Sequence, residues 1–250
     1  MSKIKIGLLQ FDIAWENPEN NKNKISEILD KSLKKNDIDL LVMPEMTLSG
    51  FTMNKVKAYL SETDFDFFKN ICLKYSSAVI FGYVNDDKNK CRVLDNTGNI
   101  LNDYSKIHLF SFADEQNHYS AGSDCHSFDV AGFTARTLIC YDLRFSYLFW
   151  DNANSTDLFI VIANWPASRR NHWITLLKAR AIENQSFVIG VNRMGKDPKL
   201  AYSGDSLVFA PDGTELLNCG DGEDLFKIEL NKDLLSETRK KFPFLNDRKK

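Results

Sequence analysis

The chain carries 250 residues, 43% of them hydrophobic and 26% charged, the composition of an ordinary soluble globular protein with room for a large core. A formal net charge of -2, with basic and acidic side chains interspersed, excludes the electrostatic footprint of a nucleic-acid binder. No apolar run is long enough to span a membrane or to act as a signal peptide. Five cysteines without paired spacing exclude a secreted disulfide scaffold and point to reduced thiols in the cytoplasm.

In chain order, residues 4–11 form an apolar run that predicts a buried strand, and residues 20–35 place Ile25, Ile28, Leu29 and Leu33 at helical spacing. Residues 39–45 predict a second strand. It ends at Pro44, which cannot donate to a central ladder, and delivers Glu45 to the sheet edge. A helix over 64–75, a strand over 78–84 and a solvated polar turn over 86–90 follow. Residues 91–96 and 100–104 bracket Thr97-Gly98-Asn99, a hairpin signal, and the second arm ends near Lys106. Residues 107–122 have no clean period and read as a functional loop.

Residues 133–139, rich in β-branched and aromatic side chains, predict a strand with Cys140 at its carboxyl end and a helix over 143–150 beyond it. A strand over 157–163, a helix over 171–184 and a strand over 187–191 continue the alternation. A hairpin over 206–210 and 216–219, a strand over 225–230 and a helix over 231–240 complete it. No linker interrupts this pattern, so residues 1–250 read as a single α/β domain.

Three ionisable groups, Glu45, Lys106 and Cys140, fall at or just past predicted strand ends, where ligands collect in open α/β sheets. A cysteine near its reference pKa of about 8.5 is mostly thiol at neutral pH, so as a nucleophile it needs a base or a cation beside it. Glu45 can be that base and Lys106 that cation. Taken singly, each has a plainer alternative: a buried cysteine behaves as a small hydrophobe, a glutamate caps a turn, and a lysine lies on the surface. His108, His118, His126 and His172 have no Cys or His partners at zinc-ligand spacing, which argues against a metal, and nothing in the chain calls for a cofactor.

The stretches Leu41-Val-Met-Pro-Glu45, Tyr104-Ser-Lys106-Ile-His-Leu-Phe110 and Leu138-Ile-Cys140-Tyr-Asp-Leu-Arg-Phe145 together resemble the motifs of the nitrilase superfamily of carbon-nitrogen hydrolases. The segments around Asp114-Glu115, Ala163-Asn-Trp-Pro-Ala167, His172-Trp173 and 179–185 narrow the resemblance to its bacterial omega-amidase branch. It covers nearly the whole chain. It implies a four-layer α-β-β-α sandwich, a homodimer, and a tail over 241–250 that packs at the subunit interface or on its own subunit. It also implies Cys140 as nucleophile, Glu45 as general base and acid, Lys106 as catalytic lysine and Glu115 as a second, supporting glutamate.

By the same resemblance the substrate is the terminal amide of a short dicarboxylate monoamide such as 2-oxoglutaramate or 2-oxosuccinamate. The backbone N–H of Tyr141 is then expected to join Lys106 on the developing oxyanion. A distal carboxylate needs a cation, and Arg169 is the favoured anchor, with Arg144 and Arg170 behind it and Trp165 either a pocket wall or core. Two other readings stay open: a hydrolase of the superfamily with another amide, carbamoyl or nitrile substrate, and a catalytically inactive small-molecule binding protein. The presence of all three catalytic residue types argues against the last.

Overall fold

The computed structural model describes residues 2–249. Its first half contains β1 (Lys3–Gln10), α1 (Pro18–Ser32), β2 (Leu40–Val42), α2 (Lys55–Ala58), α3 (Glu62–Tyr75), β3 (Ala78–Asn85), β4 (Lys88–Leu94) and β5 (Ile100–Ser105). The second half contains β6 (Ser127–Val130), β7 (Phe133–Ile139), α4 (Tyr147–Trp150), β8 (Leu158–Ala163), α5 (Arg170–Asn184) and β9 (Phe187–Asn192). There follow β10 (Met194–Lys196), β11 (Ala201–Ser203), β12 (Leu207–Phe209), β13 (Glu215–Asn218), β14 (Asp224–Asn231) and α6 (Lys232–Lys241). Local chemistry sets several boundaries. Asn17 caps α1 ahead of Pro18, and Ser61 with Asp64 forms a capping box on α3.

Two six-stranded sheets carry the architecture, in the orders β14-β1-β2-β3-β4-β5 and β13-β12-β9-β8-β7-β6. At the centre of each run three parallel strands, β1-β2-β3 and β7-β8-β9. Period-two alternation explains how the sheets stack. Leu40, Val42 and Ile80 join the core shared with the second sheet, whereas Leu41, Val79 and Phe81 face Ile25 and Leu29 of α1 and Phe68 of α3. On the far side of the second sheet Trp173, Leu177 and Ala181 of α5 pack onto the same core as β8 and β9. The result is the expected four-layer sandwich, with the central strands covered on both faces and therefore apolar.

Some boundaries differ from the sequence reading. The polar segment 86–90 is not one solvated turn: Asp86 and Asp87, both at positive φ (51° and 54°), make a two-residue hairpin, and Lys88 already belongs to β4. Beyond Cys140 a tight helical turn over Cys140–Arg144 replaces the start of the expected helix, because Phe145 is extended and α4 begins only at Tyr147. The short elements α2, β6, β10 and β11 were not legible. Residues 242–248 lie against their own chain, where Arg248 donates to the carbonyls of Trp150 and Glu183, each at 2.7 Å.

The parallel strands deliver their carboxyl ends to one edge. There the turn after β2 crosses Gly82 of β3 so closely that a Cβ at residue 82 would sit 2.4 Å from the Met46 nitrogen and 2.6 Å from the Glu45 Cα. Thr47 fastens the crossing, with its N–H on the Gly82 carbonyl at 2.9 Å and its hydroxyl receiving the Gly82 N–H at 3.1 Å. Gly82→Ala must push the Glu45 backbone aside. It is expected to lower stability by about 1–3 kcal/mol, the usual range for overpacking, and to depress turnover further than the melting curve accounts for. Thermal unfolding together with steady-state rates checks both.

Candidate active site

Four strand ends build the site. Glu45 follows β2, Lys106 follows β5, Cys140 follows β7 and Asn164 follows β8. The neighbouring pair is set by register: Ile139 of β7 lies opposite Ile162 of β8, so the chain leaves both strands side by side. Cys140 turns out of the sheet at φ 47°, a left-handed conformation that a non-glycine residue holds only under constraint. Glu115 comes from the loop after β5, in a short helical turn over Glu115–Asn117 within the stretch that shows no sequence period.

The side chains of Glu45, Lys106 and Glu115 are fully buried and bonded to one another. Lys106 Nζ donates to Glu45 Oε1 at 2.9 Å and to Glu115 Oε2 and Oε1 at 2.9 and 3.1 Å. Asn89 Nδ2 bridges the two acids, at 2.8 Å from Glu45 Oε1 and 2.9 Å from Glu115 Oε1. Glu45 Oε2 accepts from the Asn164 backbone N–H at 2.9 Å. Glu115 is held in turn by the Phe110 N–H at 2.6 Å.

This arrangement fixes the protonation states. Burial alone would raise the Glu45 carboxyl, but the Lys106 charge and the donors on Asn89 and Asn164 outweigh it and keep Glu45 below the usual carboxylate range. Burial would lower Lys106, yet Glu115 and Glu45 hold it above its ordinary value. Burial, and then the Glu45 charge, push the Cys140 thiol well above its ordinary value against the pull of Lys106. At rest a neutral thiol therefore faces a carboxylate base and an ammonium.

Above the sulfur opens a cavity of about 340 Å³, lined among others by Phe51, Tyr141, Arg144, Trp165, Arg169 and Tyr202. Trp165 is both pocket wall and core, since it is 3% exposed and its ring lies 5.4 Å from that of Trp173. Arg169 lies 5.3 Å over the Phe110 ring, and among the described residues it has no acidic partner within ion-pair distance. Arg144 covers the Trp165 ring at 4.9 Å and donates to His172 Nδ1 at 3.2 Å. Arg170 is a different case: it points away from the cavity, paired with Asp205 through bonds of 2.8 and 2.7 Å, and drops out as an anchor.

The carbon-nitrogen hydrolase family matches residues 5–240. The chain belongs to that family. An omega-amidase, YafV, of Escherichia coli strain K12 is 37% identical over 256 residues, covering 99% of this chain and 97% of its own. A 2-oxoglutaramate amidase of Bacillus subtilis strain 168 is 32% identical over 257 residues, covering 99% and 98%. Among solved structures, a CN-hydrolase superfamily protein of Xanthomonas campestris with an arsenic adduct in its active site superposes with a TM-score of 0.93 at 28% identity. That match covers 100% of this chain and 98% of the other.

Sequence reasoning assigned no role in this hydrolase to Asn89, Asn164 or Asp142. Asn89 was detectable, because extending the alternation of Cys91 and Val93 back by two residues puts it on the same inward face of β4. Asn164 shares with Cys140 the position just past a parallel strand. Asp142 gave no such signal. Its carboxylate, fully buried, accepts from the Ile139 N–H at 3.1 Å, the Tyr104 hydroxyl at 2.7 Å and the His108 N–H at 2.8 Å. It thus ties the residue before Cys140 to both flanks of Lys106. Asp142→Asn turns one acceptor into a donor facing donors and is expected to cost about 1–3 kcal/mol of stability. Turnover should fall with KM little changed, which denaturant melts and steady-state kinetics on the same preparation check.

Proposed function

We propose that this hydrolase is an omega-amidase, which cleaves the terminal amide of short dicarboxylate monoamides such as 2-oxoglutaramate and 2-oxosuccinamate to the acid and ammonia. The carrying observation is Cys140 at a strained strand end, its thiol neutral, beside the buried Glu45 and Lys106. The names of the Escherichia coli and Bacillus subtilis relatives support the substrate class. So does the cavity of about 340 Å³, which is near the lower end of ligand pockets and suits a short molecule.

In this reading Glu45 takes the thiol proton as the sulfur attacks the amide carbon, so no free thiolate needs to accumulate first. Negative charge moves to the carbonyl oxygen. Lys106 meets it with the N–H left over from its two carboxyl partners. The Tyr141 N–H joins it, lying in the first turn of a helical segment where backbone donors have no partner within the turn. Glu45 returns its proton to the departing nitrogen, the C–N bond breaks, and ammonia leaves a Cys140 thioester. Water, deprotonated by Glu45, then attacks the thioester carbon, and the sulfur departs and recovers its proton. Glu115 supports the set by holding Lys106 charged and in place. Cys140→Ala is expected to abolish ammonia release while leaving the melting temperature near that of the parent. Lys106→Met should lower kcat by about a hundred- to a thousandfold, the usual effect of losing one preorganised oxyanion donor, with a smaller change in KM. A variant with parental kcat and raised KM would make Lys106 a binding residue.

The distal carboxylate of such substrates fits Arg169, which lines the cavity without an acidic partner among the described residues; Arg144 on the adjoining wall also has none, but it is engaged with His172 and the Trp165 ring. Arg169→Ala should lower kcat/KM for 2-oxoglutaramate by about ten- to a hundredfold, as expected for a charge-assisted pair, and leave a neutral amide of equal length little affected. Arg169→Lys should restore part of the loss. An unchanged acidic-to-neutral ratio in Arg169→Ala transfers the role to Arg144.

The reading also includes a homodimer in the cytoplasm. Phe242 and Phe244 of the tail are exposed with their rings 5.5 Å apart, and exposed Trp150 lies beneath Arg248, apolar surface of the kind that subunits cover. Light scattering of the purified chain should give twice the mass of 28.7 kDa, and Phe244→Glu should shift it toward the monomer. The five free cysteines suit a reducing compartment, and recovery of the native enzyme from a secreted fraction would contradict that location.

A further inference from the structure

Asn89 lies at the start of β4 with no accessible surface, and its side-chain nitrogen spends both hydrogens on the two acids, at 2.8 Å from Glu45 Oε1 and 2.9 Å from Glu115 Oε1. Its side-chain oxygen is buried and has no partner among the described residues. An unpaired buried acceptor costs free energy, so the amide would be expected to rotate if rotation helped. Rotation is closed off, because the reversed amide would aim its oxygen at two carboxyl groups. The backbone is pinned as well, since the Asn89 carbonyl accepts the Lys106 N–H at 2.8 Å.

The consequence falls on the two oxygens of Glu45. Oε1 receives two strong donors, Asn89 and Lys106, while Oε2 receives the Asn164 N–H at 2.9 Å and its amide only at 3.4 Å. An oxygen held between two donors is a poor place for a proton. We propose that Asn89 is a positioning residue for the base: it fixes Oε1 of Glu45 as a permanent acceptor, so that the proton exchanged with sulfur, leaving nitrogen and water travels on Oε2. This rests on Glu45 being the base and deepens that assignment by naming the oxygen that works and the side chain that selects it. The groups facing Glu45 are Asn89 from β4, Lys106 beyond β5, Glu115 from the following loop, Cys140 beyond β7 and Asn164 beyond β8.

The sign of the pH effect follows. Asn89 is one of the donors that hold the Glu45 carboxyl low, so weakening it raises Glu45 and moves the acidic limb of kcat/KM to higher pH. The experiment compares Asn89→Asp and Asn89→Ser with the parent, reading the pH profile for 2-oxoglutaramate and the rate of Cys140 alkylation by iodoacetamide. Alkylation monitors proton removal without depending on the substrate. Both variants are expected to lose about ten- to a hundredfold in kcat with KM little changed, the range for removing a hydrogen bond to a charged group. The limb should move up, further for Asn89→Asp, which adds a carboxyl group, than for Asn89→Ser, which keeps one donor. The acidic limb of the alkylation rate, followed over the same pH range, should move up in the same order. If Asn89→Asp does not fold, the Ser variant carries the test. Folded variants whose acidic limb and alkylation rate match the parent, or whose loss lies in KM, overturn the proposal. Glu45→Gln run in parallel separates the two levels: if it keeps turnover the base assignment fails, and if it is inactive while the Asn89 variants keep the parental limb, only the role of Asn89 fails.

Discussion

A lysine without accessible surface holds this site together. Burying an ammonium without partners is prohibitive, and removing one partner of a buried pair typically costs about 3–5 kcal/mol. Lys106 therefore constrains every segment that supplies it with an acid. The turn after β2 must present Glu45, and the loop after β5 must fold back within ten residues to present Glu115. The acids would repel each other without the ammonium between them, and Asn89 fills the remaining gap with two donors. The charged groups of the cluster are satisfied by side chains and two backbone N–H groups, and only the amide oxygens of Asn89 and Asn164 are left without a partner among the described residues. The cluster therefore keeps its geometry before any substrate arrives.

The sandwich exists, in functional terms, to bring two sheets to this one point. Glu45, Asn89 and Lys106 come from the first sheet, whereas Cys140 and Asn164 come from the second. Asn164 closes the seam with three contacts to one residue: its N–H and amide meet the Glu45 carboxyl, and its amide also reaches the Glu45 carbonyl at 2.7 Å. Asp142 does the same from the other side, linking Ile139 of the second sheet to Tyr104 of the first and to His108 of the loop beyond it. The Cys140 sulfur and the Glu45 carboxylate thus follow different sheets, with their separation set by buried polar bonds. Small shifts in sheet packing are resisted where they would matter most, because interiors pack densely and buried donors tolerate no gaps.

Electrostatics sets the other thiols apart from Cys140. Burial pushes Cys72 and Cys219 up to about 12 and Cys125 up to about 11, the last against the pull of Arg136. Cys140 is also raised, but it alone faces both a carboxylate and an ammonium at the floor of a cavity. A thiol that stays neutral until a carbonyl carbon is in place is protected from stray oxidation and alkylation, since the thiolate is the reactive species.

The sequence by itself determined the period-two and helical runs, and with them the α/β class, the strand ends bearing Glu45, Lys106 and Cys140, and the motif order that names the family. These are local or ordered features, so a single chain displays them. Only the tertiary structure decided the rest. Asn89 passed for a solvated turn because the lysines on either side of it are polar; the alternation of Cys91 and Val93 extends back to its face of β4, but that this face meets Glu45 and Glu115 is fixed only by the fold. Asp142 and Asn164 are ordinary polar residues until strands about 40 and 120 positions away are brought beside them by nonlocal pairing, which no local pattern encodes. Arg169 and Arg170 are adjacent in the chain, and only the family resemblance favoured the first as the anchor. Asp205, brought in across the second sheet, neutralises one and leaves the other facing the cavity, because successive side chains at the start of a helix point in different directions.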